Sequence, residues 1–125
     1  MAVSESFRTY VLQELERAIP RLYAKDMFGG VGLYFTDVCF GIIFDDALYL
    51  KVNDFTRPHF EAYDMGPFKP YGEEGSSLQH YRVPEEILKK PQALRAWARE
   101  ALAVALEKKA MRIAAEKKRR RRIGR

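Results

Sequence analysis

Between Lys25 and Phe35 the chain reads KDMFGGVGLYF, three glycines within four residues. A glycine-rich loop can aim backbone N–H groups at a phosphate when a helix N-terminus stands behind it and, often, a Lys-Ser/Thr pair follows. Here the glycines run into LYF, a strand-like segment, and no Gly-Lys-Ser/Thr occurs. Glycine ahead of a strand supplies positive φ or room for a close neighbour, so the stretch is read as a tight turn that launches a strand. Nucleophilic chemistry would need an activated side chain beside a base. The single cysteine, Cys39, sits between Val38 and Phe40 in an apolar run where a thiol behaves as a small inert hydrophobe, and spacing brings neither His59 nor His80 to it. His80, in LQHYRV, is expected on a strand with its polar end at the sheet surface. No CxxC, HxxxH or HExxH spacing occurs, so no metal site and no cofactor are expected. The Asp45-Asp46 pair reads as a hairpin connection.

The remaining chemistry is cationic. Lys117, Lys118, Arg119, Arg120, Arg121, Arg122 and Arg125 fall within the last nine residues, with no acid among them. Such a run attracts phosphates without regard to sequence and in a salt-sensitive way, which makes it the expected nucleic-acid element; the competing reading is a frayed, solvated extension. Tyr34, Phe40, Phe44 and Tyr49 would stack bases only if they faced outward, and a sheet of this size needs them for its core.

The elements that must carry these residues follow from periodicity. Phe7, Val11, Leu12, Leu15, Ala18 and Ile19 recur at helical spacing from Ser4, and Pro20 ends the helix. VGLYF, VCFGIIF and ALYLKV, joined by Thr36-Asp37 and Asp45-Asp46, predict an antiparallel three-strand meander. Asp46 falls where a left-handed backbone is needed and Asp is tolerated at some cost. NDFTRPHFEAY predicts a short helix, with Asp54 or Thr56 as N-cap and Pro58 in its first turn. MGPFKPYG and SLQHYRV predict two more strands about the loop EEGSS, the first an edge strand because of its prolines. VPEEILKK begins with acids and ends with lysines, as a helix dipole favours. From Pro91 a long helix buries a stripe of Leu94, Trp97, Ala98, Ala101, Leu102 and Ala105, and then projects as that face weakens.

With 125 residues, 47% of them hydrophobic, the chain suits one domain with a real core. The division expected is a domain over 1–107 and a basic helical extension and tail over 108–125. The net charge of +5 belongs to the tail: its seven cations taken from 22 leave 15 against 17 acids, so residues 1–116 stand at −2. No apolar run reaches the roughly 20 residues of a membrane span, and charges interrupt the N-terminus, so a cytoplasmic protein without membrane contact is expected.

MFGGVGLYF, then FGIIFDDALYLKVND, RPHFEA, PFKPY and YRVPEEIL…LRAWAREAL, stand in an order and spacing that closely resembles the N-terminal domain of the TfoX/Sxy family of bacterial competence regulators, over roughly residues 7 to 106. The resemblance implies a two-layer α/β (α+β) fold of secretion-chaperone-like layout: helix, three strands, short helix, two strands, C-terminal helices. It implies no catalytic residues. Met27, Phe28, Gly29, Gly30 and Gly32, with Leu48, Tyr49, Leu50 and Lys51, are its structural hallmarks, and Lys51, Asp54 and Arg57 are the polar positions that form a candidate surface site. Full-length regulators of this family carry a second, helical domain where this chain has a basic tail, and Val38 and Asp46 stand where the family often has turn glycines. The expected function is therefore a non-catalytic regulatory or interaction domain acting through protein partners in transcriptional or competence regulation, the alternative being a small nucleic-acid-associated protein anchored by its tail.

Overall fold

The computed structural model describes residues 4–27, 29–69 and 77–123. In chain order these form α1 (Glu5–Ala18), β1 (Tyr23–Met27), β2 (Gly30–Phe35), β3 (Val38–Phe44), β4 (Ala47–Lys51), α2 (Arg57–Glu61), β5 (Pro67–Phe68), β6 (Ser77–Arg82), α3 (Glu85–Leu88) and α4 (Pro91–Ile123). Ser4 caps α1, its Oγ accepting from the Phe7 N–H at 3.3 Å, and Glu5 and Arg17 occupy the ends that the helix dipole favours for each sign. The Ile19 N–H still reaches the Leu15 carbonyl at 2.8 Å; Pro20 has no N–H to continue the ladder.

The strands make one sheet in the order β1-β2-β3-β4-β6-β5, each neighbouring pair antiparallel. The meander is four strands long rather than three, because β1 pairs with β2 from Tyr23 opposite Tyr34 to Met27 opposite Gly30. β1 is the sheet's edge and lies mostly exposed, and its Lys25 and Asp26 are the charges that keep such an edge from recruiting another chain. Gly29 turns between the two strands at a φ of +77°. Gly30 passes so close to β3 that a Cβ there would sit 2.5 Å from the Ile43 carbonyl oxygen. The glycine cluster thus ends one strand and starts the next; Phe28 lies outside the described residues.

At the β3–β4 turn Asp45 and Asp46 have φ of 53° and 56°, the double left-handed backbone of a type I′ hairpin, as the Asp-Asp connection predicts. A register shift between Leu33 and Tyr34 brings Tyr34 opposite Cys39. Ahead of α2, Asn53 Oδ1 accepts from the N–H groups of Phe55 and Thr56, both at 2.9 Å, while Thr56 Oγ1 accepts from the Asn53 N–H at 3.0 Å. Thr56 is therefore the N-cap by position, but its hydroxyl is spent on the preceding turn, and Asp54 pairs with Arg57 instead of capping. β5 is the opposite edge strand, a position that suits its Pro67; Pro70 and the loop residues 73–76 lie outside the described residues.

Helices and sheet form two layers. Val11 and Leu15 of α1 and Leu94, Ala98 and Ala101 of α4 close over Leu33, Ile43, Leu48 and Leu50 of the sheet, all of them buried. Full burial of each large aliphatic side chain contributes about 2 kcal/mol. Tyr49 lies between the core residues Leu48 and Leu50 and so points to the other face of the sheet, where Phe68 packs 4.8 Å from it and 5.4 Å from Phe44, centroid to centroid. α4 is continuous from Pro91 to Ile123, so the expected boundary at Lys108 falls inside a helix.

Candidate cationic site and helical arm

α4 packs through Leu94, Ala98, Ala101 and Ala105, positions that alternate four and three residues apart and so share one face of the helix. Continuing the same spacing reaches Lys108, Arg112, Ala115 and Arg119. The face that buries small apolar side chains over the sheet becomes cationic where the sheet ends. At that end, Lys51 from the last position of β4, Cys39 from β3, Gln79 from β6 and the Asp37 turn meet Lys108, Lys109 and Arg112 around a cavity of about 140 Å³.

Of the cations there, Lys109 is paired with Asp37, whose carboxyl it holds below the usual range. Lys51, Lys108 and Arg112 have no ion-pair partner among the described residues. Burial pushes the Lys51 ammonium below its ordinary pKa, and the charges of Lys108 and Arg112 push further in the same direction. Lys108 is lowered as well, first by burial and then by Arg57, with Asp54 opposing. The three polar positions Lys51, Asp54 and Arg57 are thus brought to one region, and Lys108 links them. Arg57 Nη1 donates to Asp54 Oδ1 at 2.8 Å, which raises the guanidinium pKa, and its guanidinium lies 5.9 Å from the Tyr81 ring centroid.

His80 is next to this cluster on β6, opposite Lys51. It is on a strand as expected, but its ring is buried at 8% exposure and not at the sheet surface. Burial, then the charges of Lys51 and Lys108, press its pKa from 6.5 to about 3, so the imidazole is neutral near pH 7. Cys39 is half-buried; its Sγ donates to the Gly41 carbonyl at 3.3 Å, and burial raises its thiol, the opposite of what an attacking thiolate needs. His59 stands elsewhere, at the surface, 3.2 Å from Glu100 Oε1.

Tyr34, Phe40, Phe44 and Tyr49 are engaged with protein. Phe40 is in the core, Tyr34 stacks on Tyr23 at 5.5 Å, and Phe44 and Tyr49 hold Phe68. Met27 lies beneath Tyr34, its sulfur 3.7 Å from the hydroxyl, and a Cβ on Gly32 would strike both side chains. A larger open cleft of about 600 Å³ lies between α1 and α3. Among its polar groups, Tyr10 donates to the Leu88 carbonyl, Asp46 accepts from the Ser4 N–H at 2.7 Å, and Lys89 pairs with Glu85.

Past the sheet, α4 becomes an arm. Lys117, Lys118, Arg119, Arg120, Arg121 and Arg122 are all helical and exposed, and Glu116 meets Arg120 at 3.5 Å; Arg125 lies outside the described residues. The run is thus helical and fully solvated over its described residues. The sequence pattern missed Lys108 and Arg112 as site residues. The signal was present, since they continue the buried four-three spacing, but a weakening apolar face reads first as a helix leaving its core.

No curated protein matches the chain. The family model described as the TfoX N-terminal domain matches residues 14–105, from the middle of α1 to the last buried turn of α4. That span includes the whole sheet, the glycine turn and Lys51, Asp54 and Arg57, and the chain belongs to the family of TfoX N-terminal domains.

Proposed function

We propose that this domain is a non-catalytic regulatory module that acts through a protein partner, in the transcriptional or competence regulation associated with its family. The observation that carries the reading is on the arm. Leu106 and Ile113, seven residues apart and so on one face of α4, are 39% and 40% exposed, and Met111 is 64% exposed. Apolar side chains at helical spacing on an unpacked surface are what a helix-binding partner buries. Affinity capture with intact protein, repeated with the double variant Leu106→Asp, Ile113→Asp, tests this. A stoichiometric partner lost in the variant supports the reading; recovery of none across growth conditions, or equal recovery by the variant, removes it.

A second reading, nucleic-acid association, is favoured by the exposed helical run Lys117–Arg122. Each phosphate neutralised on duplex DNA steepens the salt dependence of binding by about 0.9 in the log–log slope. Anisotropy titrations at two salt concentrations should show DNA affinity that falls steeply with salt and is lost on truncation after Glu116. Equal binding by intact and truncated protein at low salt would leave the run without that role.

A further inference from the structure

We infer that the cavity where α4 crosses the end of the sheet binds a phosphate group, held by Lys51, Lys108 and Arg112. The two chain segments that supply these cations are distant in sequence and are brought together only by the packing of α4 on β3 and β4. At about 140 Å³ the space is well below the roughly 300 Å³ of pockets that enclose a drug-sized molecule, which fits a single oxyanion group and not a whole nucleotide. The acid on its wall, Asp37, is already engaged by Lys109, so it does not neutralise the other three.

Lys51 and Lys108 are half-buried and Arg112 is exposed; the Lys51 pKa is lowered first by burial and then by the like charges of Lys108 and Arg112, whose proximity costs free energy. An oxyanion between them reverses the sign of the interaction for every cation at once. The chemistry of the wall suits a phosphate: Arg112 presents a planar fork able to take two oxygens, the lysines present point charges, and Gln79 adds an amide donor. The site stands whether or not the arm beyond it holds nucleic acid, because Lys117–Arg122 lie further along the helix and do not line it. The phosphate can come from a nucleic-acid backbone or from a small phosphorylated molecule, and the chemistry shared by both is what the cavity reads.

Titration calorimetry of the full chain with inorganic phosphate at low ionic strength tests the site. Lys108→Ala and Arg112→Ala should each weaken binding about tenfold or more, the usual size of a lost charge-assisted contact. The triple variant Arg119→Ala, Arg120→Ala, Arg121→Ala should bind phosphate as the intact chain does. Melting followed by circular dichroism confirms that each variant is folded. Competition by a short DNA duplex assigns the phosphate to a backbone, and lack of competition assigns it to a small molecule; both outcomes support the site. Phosphate affinity unchanged by the Lys108 and Arg112 substitutions, or lost only in the triple variant, overturns it, as does the absence of any binding.

Discussion

Thr36 holds a φ of 52° in the turn between β2 and β3, a left-handed backbone that a β-branched residue enters at a cost of about 1–2 kcal/mol. Its hydroxyl bonds only to its neighbours Phe35 and Asp37, whereas the contact that matters to the fold, from the Tyr23 hydroxyl, is to its backbone carbonyl and survives substitution. Thr36→Gly should therefore stabilise the domain by about 1 kcal/mol in urea unfolding; a lower midpoint would show that the turn is not strained. His80 makes the opposite kind of contribution. Its pKa is about 3 in the fold against 6.5 for the ordinary side chain, because burial and the nearby ammonium groups of Lys51 and Lys108 disfavour the charged form. Below pH 6.5 the unfolded chain takes up a proton that the folded chain refuses. Stability is then fully present above pH 6.5 and is lost as pH falls towards 3, by about 1 kcal/mol for each pH unit well inside that window. Urea midpoints between pH 7 and pH 5 should fall accordingly, and His80→Gln should flatten the dependence; an unchanged slope in that variant would assign it to other groups.

At the scale of elements, what could be read in the sequence was whatever one strand or helix declares through its own pattern. α1 and the buried stripe of α4 bury a face at the helical period, while β2, β3 and β4 are short apolar runs set off by two-residue turns, and all were found where expected. β1 was missed because it is an edge strand: YAKDM buries no full face and carries charges, so nothing in its pattern distinguishes it from a loop before a turn. Its existence depends on pairing with β2, a tertiary fact. α4 shows how narrow the packing constraint is. Ala98 and Ala101 are buried to 0% and 1% exposure, and their small side chains set how closely the helix lies on the sheet. Ala98→Leu should cost about 1–3 kcal/mol through overpacking, although leucine is nearly as good a helix former. Ala103→Leu, on the exposed side of the same helix, should change stability by less than about 0.5 kcal/mol. If both substitutions behaved alike in urea unfolding, the close contact of α4 with the sheet would be wrong.

Over the whole molecule, charge and stability are divided along the chain, with a body at −2 carrying a run of cations on a helix that leaves it. The run itself was plain in the sequence, because seven cations in nine residues need no fold to be recognised. The cluster at the end of the sheet was not, since Lys51 and Arg112 are neighbours only after α4 has crossed β3 and β4. The two cationic features make different demands on the fold, and truncation after Glu116 separates them. Residues 117–123 are exposed along their whole length, so their removal uncovers no apolar surface. The urea midpoint and the slope of unfolding, which follows the surface exposed, should both be unchanged, so that the unfolding free energy stays within about 0.5 kcal/mol of the intact chain's. Lys108, Lys109 and Arg112 remain, with the Asp37 pair that ties α4 to the β2–β3 turn. The shortened protein should keep its affinity for inorganic phosphate while losing the steep, salt-dependent attraction to DNA. A shortened chain that unfolds at clearly lower urea would mean that the arm contributes to the body's stability, contrary to its exposure.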